Sequence, residues 1–422
     1  MPETFQTPQG TFDVLPPDSR AYETLVARFA ERIEAAGYGL VISPMFEDVG
    51  VFRRVGESTD VVRKEMYDFY DKGDPPRHLA LRPEGTASVV RAFVQHRPTT
   101  PWKTWYVAPS FRYERAQAGR YRQHHQLGVE VLGSEDPLLD VEVIALLVGF
   151  YAEIGLQQVS LRINSLGDAV CRPAYRAELE AFLAARADRL CDEHRERFRD
   201  NPLRVLDCKD PACVEATADA PFQVDRLCGP CAEHFARVQE GLTALGVAFS
   251  IDKRLVRGLD YYTRTAFEVA ADALASAQNA VGGGGRYDGL AEDLGGPPTP
   301  GVGFGTGLER IRLACAAEHV DLIGRTGVDA YVVDTTGGFA ALTLTQELRA
   351  AGISADRAWD NRSFKAQFKS ADRAGARVAV IVGPDESARR VVGLKPMRGG
   401  DQVEVPIDEV VQQVRKMLDD AD

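Results

Sequence analysis

The sequence predicts an α+β protein in two parts: a long first domain built on antiparallel strands with flanking helices, and a small C-terminal α/β domain. Three observations carry this reading. Between about residues 79 and 134, the β-prone runs TWYVAPSFRYE and HQLGVEVLG flank a polar, basic turn, the pattern of two antiparallel strands joined by a long loop. Extended, glycine-rich sequence returns at 282–285 and 301–307. Beyond Gly327 strand-like and helical segments alternate, which implies a largely parallel sheet.

In chain order, PPDSRAYETLVARFAERIEA (17–36) opens on Pro, Asp and Ser, places Leu25, Val26, Phe29 and Ile33 at helical spacing, and stops at Gly37, so it reads as an amphipathic helix. GLVISPMFED reads as a short strand. Pro44 cannot donate to a ladder, so this strand belongs at a sheet edge or an interface. Residues 138–154 and 173–190 are patterned as helices, and 191–235 is polar, Cys-containing and punctuated by Pro; about 165–235 is taken as an insertion. β-Prone sequence follows at 247–269, and a helix begins near Leu308. The C-terminal part reads as VDAYVVD, a helix at 338–351, ISADRAW, a helix at 362–375, RVAVIVG and a last helix ending near Leu418.

A chain of 422 residues with 45% hydrophobic and 27% charged residues has the composition of an ordinary globular protein. The N-terminus MPETFQTPQG lacks a basic start followed by an apolar run, and no window approaches a membrane span, so a cytoplasmic protein without membrane partners is expected. A net charge of −12 argues against a general polyanion binder and leaves local patches open. Seven cysteines without a secretion signal favour reduced thiols.

No Gly-Lys dipeptide and no strict G-x-G-x-x-G occurs, so the P-loop and dinucleotide folds are unsupported, and the class I synthetase signatures are missing too. Nucleotide chemistry needs another scaffold. In FRYERAQAGRYRQHHQLGVEVLG (111–133), Arg112 and Glu114 are expected on one face of a strand, with Arg120 and Arg122 after the turn. A guanidinium on a rigid strand clamps a phosphate bidentately, and a basic loop beside it suits a nucleic-acid end. In GVGFGTGLERI (301–311), glycines at period two leave one strand face bare for a planar base or sugar, while Arg310 at the helix start meets a phosphate. In LVRGLDYYTRTAFEV (255–269), a buried Arg257 beside Tyr261 and Tyr262 in an apolar strand setting suits a small polar ligand. Aromatic core packing around a salt-bridged Arg is the structural alternative.

Phe111–Glu114 with GVGFGTGLERI resembles motifs 2 and 3 of class II aminoacyl-tRNA synthetases, and the Pro44 segment then resembles motif 1. The string RGLDYYT is similar to the hallmark of the histidyl-tRNA synthetases. The likeness runs from QGTFDVLP through LRPEGTASVVRA (81–92) to KAQFKSADRAGARVAVIVG (365–383). It implies a class II catalytic domain over 1–325, an antiparallel sheet flanked by helices, and an anticodon-binding domain over 326–422. It further implies a homodimer, with Pro44 marking the interface, and a ligase that uses ATP with Mg2+ to activate histidine and passes it to the 3′ end of its tRNA.

By the same resemblance Glu84, Thr86 and Gln126 hold the α-amino group of histidine, Glu130 and Tyr262 meet the imidazole, and Tyr261 and Tyr287 line the pocket. Arg112, Glu114, Arg120 and Arg310 hold ATP. Arg257 lies against the α-phosphate and, with Arg112, touches both histidine and the reacting group. The tRNA acceptor end is expected near Arg115, Gln117 and Arg120. A site that satisfies the imidazole rejects apolar analogues by roughly 10⁴-fold without editing. Residues 357–377 carry Arg357, Arg362, Lys365, Lys369, Arg373 and Arg377 against Asp360 and Asp372, a phosphate-binding face for the anticodon arm. Ala116, His124 and Gly305-Thr306 depart from the family's usual Pro, Phe and larger residues.

Cys208, Cys213, Cys228 and Cys231 have the spacing C-x4-C-x14-C-x2-C, compatible with a structural zinc site, but four reduced thiols are the favoured reading; no metal is assigned there. Two rival readings remain. A histidine-sensing regulatory subunit of ATP phosphoribosyltransferase shares the catalytic fold but typically loses the RGLD arginine and the C-terminal domain, both present here. A class II-like ligase acting on another small molecule or a protein fits the basic C-terminal surface less well.

Overall fold

In the computed structural model, which describes residues 4–420 except 57, 58, 118, 275–278 and 361, the first helix spans Ser19–Ala35. It buries Ala21, Leu25, Phe29 and Ile33, one stripe at helical spacing. Phe29 meets Trp105, Phe150 and Phe304 edge-on at 6.0, 5.1 and 6.1 Å, so this stripe covers one face of the main sheet. Burying such a ring stabilises the fold by about 1.5–3 kcal/mol.

The single strand expected around Pro44 is two strands in different sheets. Gly39–Leu40 pairs parallel with Thr104-Trp105 at the edge of the main sheet, whereas Phe46–Asp48 pairs with His78–Leu81 in a three-stranded sheet. Between them, the carbonyls of Ser43 and Pro44 accept from Nη1 of Arg82 at 3.2 and 3.3 Å. Arg82 is buried, so the chain here is held by a guanidinium rather than by a ladder.

The eight-stranded main sheet runs, from edge to edge, Gly39–Leu40, Trp102–Phe111, Gln123–Leu132, Gly301–Gly307, Ala280–Arg286, Thr263–Ala271, Val159–Ser165 and Ser250–Ile251. Every ladder between the long strands is antiparallel; the short edge strands join in parallel. Among the elements that escaped the sequence reading are the strand Val159–Ser165 and the helix Thr86–His96. That helix begins where both oxygens of Glu84 accept the amides of Thr86 and Ala87, at 2.6 and 2.8 Å. Its first turn is GTAS, with no apolar periodicity to announce it.

Helix Pro137–Glu153 crosses the sheet and carries Asp140, which is fully buried. Burial opposes its ionisation, yet His234 and Arg286 hold the carboxyl below its ordinary range. Arg286 Nη2 lies 2.5 Å from Asp140 Oδ1, and His234 Nε2 and Thr265 Oγ1 lie 2.7 and 2.6 Å from Oδ2. Three elements are thereby pinned to one carboxylate.

The chain divides into two compact units, Met1–Leu322 and Ile323–Asp422. In the second, strands Ala355–Arg357, Ala330–Asp334 and Val378–Val382 are parallel, and Val391–Pro396 and Val403–Pro406 add an antiparallel hairpin. The sheet is therefore mixed, where the sequence suggested a largely parallel one. The hairpin turns at Gly399 and Gly400, which take the left-handed φ values of 79° and 101°. Among the described residues no helix is long and apolar enough to cross a membrane.

Candidate active site

Strand pleating puts Gln126, Gly128 and Glu130 on one face of Gln123–Leu132. Its neighbour Gly301–Gly307 pairs Gly303 with Glu130 and Gly305 with Gly128. A Cβ on Gly303 would lie 1.9 Å from Glu130 Oε2, one on Gly305 2.0 Å from Gln126 Nε2, and one on Gly301 2.2 Å from the Tyr287 ring. The alternate glycines therefore make room for the site's own side chains. Gly305 and Gly307 also line the neighbouring cavity, so part of the bare face remains open.

Glu130 sits in a buried polar and aromatic pocket region walled by Tyr106, Tyr261, Tyr262 and Tyr287, packed closed in this structure. It is fully buried, and Oε1 accepts from Thr86 Oγ1 at 2.6 Å and from Tyr106 OH at 3.5 Å, while Oε2 accepts from Tyr287 OH. Burial pushes its carboxyl up to about 8, outweighing the hydrogen bonds that favour the charged form. Glu84, also buried, is raised by burial as well. Tyr261 stacks obliquely on Tyr262 at 4.6 Å and meets Tyr287 edge-on at 5.9 Å, closing the wall. Tyr106 is a pocket residue that sequence reasoning missed. It fits because residues 85 and 128 are both glycine; a Cβ on either would fall 2.3 or 2.1 Å from its ring.

Beside this pocket opens a cavity of about 460 Å³ lined by Arg112, Glu114, Arg120, Gln126, Arg257 and Arg310, with Glu268, His124, Asp207 and Lys209. Six residues expected around the substrates thus share one wall system. Arg257 Nη1 lies 3.5 Å from Glu268, its guanidinium 5.5 Å from the Tyr262 ring, and its Nε is buried without a hydrogen-bond partner, as is Gln126 Oε1. Two such orphans on one cavity wall are donor and acceptor for a polar ligand. Arg310 is lowered by burial and by the Arg120 charge. Burial, and next the Arg112 guanidinium, lower His124 to about 3, so it stays neutral among the arginines.

Two placements differ from the sequence reading. Arg112 and Glu114 lie beyond the strand, which ends at Phe111, because the Glu114 amide turns back to the Arg112 carbonyl at 2.8 Å. Arg112 is fixed instead by Nε donating to the Pro83 carbonyl at 2.8 Å, and Glu114 is bracketed by Arg112 at 3.9 Å and Arg120 at 3.3 Å. Arg257, Tyr261 and Tyr262 precede the strand Thr263–Ala271 rather than lying in it, and Arg257 is half-buried. Arg115 and Gln117 are exposed on the loop and do not line the cavity; Gln117 pairs through its backbone with Arg120. The four cysteines read as one set are divided. Cys208 and Cys213 gather with Cys191 and His194, and Cys228 and Cys231 with Asp168 and Cys171.

Residues 10–311 match the family model described as histidyl-tRNA synthetase, and residues 332–417 the anticodon binding domain. The chain is 48% identical to the histidine–tRNA ligase of Pelotomaculum thermopropionicum over 97% of both chains. To that of Moorella thermoacetica it is 49% identical, over 97% of this chain and 98% of the other. Among solved structures it resembles apo histidyl-tRNA synthetase of S. aureus, with TM-score 0.83 and 34% identity, over 98% of this chain and all of that one.

Proposed function

This chain belongs to the histidyl-tRNA synthetase family, and from that premise we propose how its residues divide the work. It is an ATP-dependent histidine–tRNA ligase: histidine and ATP give histidyl-adenylate and pyrophosphate, and histidine then passes to the 3′ end of its tRNA. The observation that carries the assignment of roles is the fully buried Glu130 under three tyrosines, next to a cavity lined by Arg112, Arg257 and Arg310.

Glu130 and Tyr262 receive the imidazole, Tyr261 and Tyr287 close around it, and Glu84 and Gln126 hold the α-amino group. Thr86, whose hydroxyl donates to Glu130, contributes by orienting that carboxyl. The substrate carboxylate then faces the cavity, where an oxygen attacks the α-phosphorus of ATP and the bond to the bridging oxygen of pyrophosphate breaks in line. Arg257 and Arg112 face the charge that builds on the α-phosphate, while Arg120, Arg310 and Glu114 position the nucleotide. Mg2+ prefers oxygen ligands, and the Glu114 and Glu268 carboxylates on the cavity wall would hold it beside the phosphates. The ribose hydroxyl at the tRNA 3′ end attacks the acyl carbon and AMP leaves, with Arg115, Gln117 and Arg120 beside the acceptor end.

Two surfaces complete the reading. Leu40, Ile42, Met45 and Phe46 are exposed around Pro44, an apolar strip suited to a second copy of the chain. In the second unit Arg357 lies 4.0 Å over the Trp359 ring, and Trp359 is itself exposed. This pair, with Lys365 and Lys369, forms a face for the anticodon arm. A charging assay tests it: the wild type attaches histidine to its tRNA, whereas Lys365→Glu with Lys369→Glu raises the KM for tRNA at least tenfold and leaves adenylation unchanged. Equal loss of both activities would remove the second unit from tRNA recognition.

A further inference from the structure

The insertion holds two groups of four side chains whose donor atoms all lie within 4.8 Å of one another: Cys191, His194, Cys208 and Cys213, and Asp168, Cys171, Cys228 and Cys231. They use six of the seven cysteines. We propose that each group binds one zinc ion, so that the insertion is a two-zinc module.

The distances suit one small ion per group. Tetrahedral zinc with bonds of about 2.0–2.3 Å places its ligand atoms about 3.5–3.8 Å apart. His194 Nδ1 is 3.2 Å from Cys191 Sγ and 3.7 Å from Cys213 Sγ. Asp168 Oδ1 is 3.5 Å from Cys171 Sγ and 3.7 Å from Cys228 Sγ. Disulfides do not account for the groups, because three sulfurs in each leave one unpaired and a nitrogen or oxygen donor aimed at them. Thiolates with an imidazole or carboxylate select zinc over magnesium or calcium. Each group also consists of two short chelating pairs, Cys191-x2-His194 with Cys208-x4-Cys213, and Asp168-x2-Cys171 with Cys228-x2-Cys231. This is the spacing of structural zinc sites.

Burial raises the Cys208, Cys213 and Cys231 thiols, and backbone amides already donate to three of the six sulfurs. The amides of Cys191, Asp210 and Asp168 donate to Cys213, Cys208 and Cys171 Sγ at 3.3, 3.4 and 3.4 Å. Arg264 Nη2 lies 3.9 Å from Asp168 Oδ2 and offsets the negative charge of the second group.

Position says what the ions do. The second group joins residues 168–171, just past strand Val159–Ser165, to residues 228–231 at the start of helix Gly229–Ala244, and so closes the insertion's two ends. The first folds its middle. A module of this size, with a small core of residues such as Tyr175, Leu179, Leu183 and Val205, is of the kind that metals staple. Cys208 stands between Asp207 and Lys209, both on the wall of the ATP cavity, so the first ion also sets the insertion's edge at the active site.

The test is metal content of the full-length protein, purified under reducing conditions and dialysed against a weak chelator. Two zinc ions per chain are expected, falling to one in Cys191→Ser and to one in Cys228→Ser. Fewer than two in the wild type, or two that survive either substitution, overturns the proposal. If a serine variant does not fold, His194→Cys and Asp168→Cys keep four donors, and their cobalt-substituted forms must show stronger sulfur-to-cobalt charge-transfer absorption than the wild type. Unchanged spectra would equally overturn it.

Discussion

The role proposed for Glu130, reading the imidazole, has a measurable signature in its protonation. The free carboxyl titrates at about 8, raised by burial, so at neutral pH it holds a proton before histidine arrives. A free imidazole titrates at about 6.5. If the bound pair shares one proton, binding below pH 6.5 starts with two protons and releases one. Between about 6.5 and 8 none moves, and above 8 one is taken up. Calorimetry in buffers of different ionisation enthalpy is expected to show nearly one proton released per histidine at pH 5.5 and almost none near pH 7.2. Equal release at both would refute a shared proton. Glu130, Arg257 and the tyrosines at 261, 262 and 287 were legible in sequence because they stand in ordered motifs. Tyr106 and Glu268 were not, since each faces the site only through strand register.

At the scale of elements, the strand Gly301–Gly307 acts as a template whose missing side chains shape the pocket. Gly305→Ala would push a methyl to 2.0 Å from Gln126 Nε2, the end of a side chain that can move away, so the fold is expected to survive. The displaced Gln126 loses its place near the substrate, and the KM for histidine is predicted to rise about ten- to hundredfold, on the order of 1–3 kcal/mol. Steady-state exchange kinetics with an unfolding curve as control checks this; an unchanged KM would show that Gln126 does not touch histidine. The glycine alternation itself was readable in the sequence. What it accommodates was not, because two of the occupants, Gln126 and Glu130, come from a strand more than 170 residues earlier in the chain. Long helices with apolar stripes, such as Ser19–Ala35, were also legible. Strand Val159–Ser165 and the hairpin Val391–Pro406 were not, being short and flanked by turns that resemble loops.

For the whole molecule, the likeness over nearly the full chain, the class II sheet and the polar pocket meet in one claim: this protein activates histidine, and no other amino acid, at the site built around Glu130 and Arg257. The insertion adds a part that sequence alone had read as a single cysteine group, because the partners of each cysteine pair, Cys191 with His194 and Asp168 with Cys171, are brought in by tertiary folding. The claim is tested most directly by amino-acid-dependent exchange of pyrophosphate into ATP, measured with each of the twenty amino acids in turn. Exchange is predicted with histidine alone, and Arg257→Ala is predicted to lower it at least a hundredfold while histidine still binds. A folded protein that binds histidine but exchanges with no amino acid would contradict the account and favour a histidine sensor.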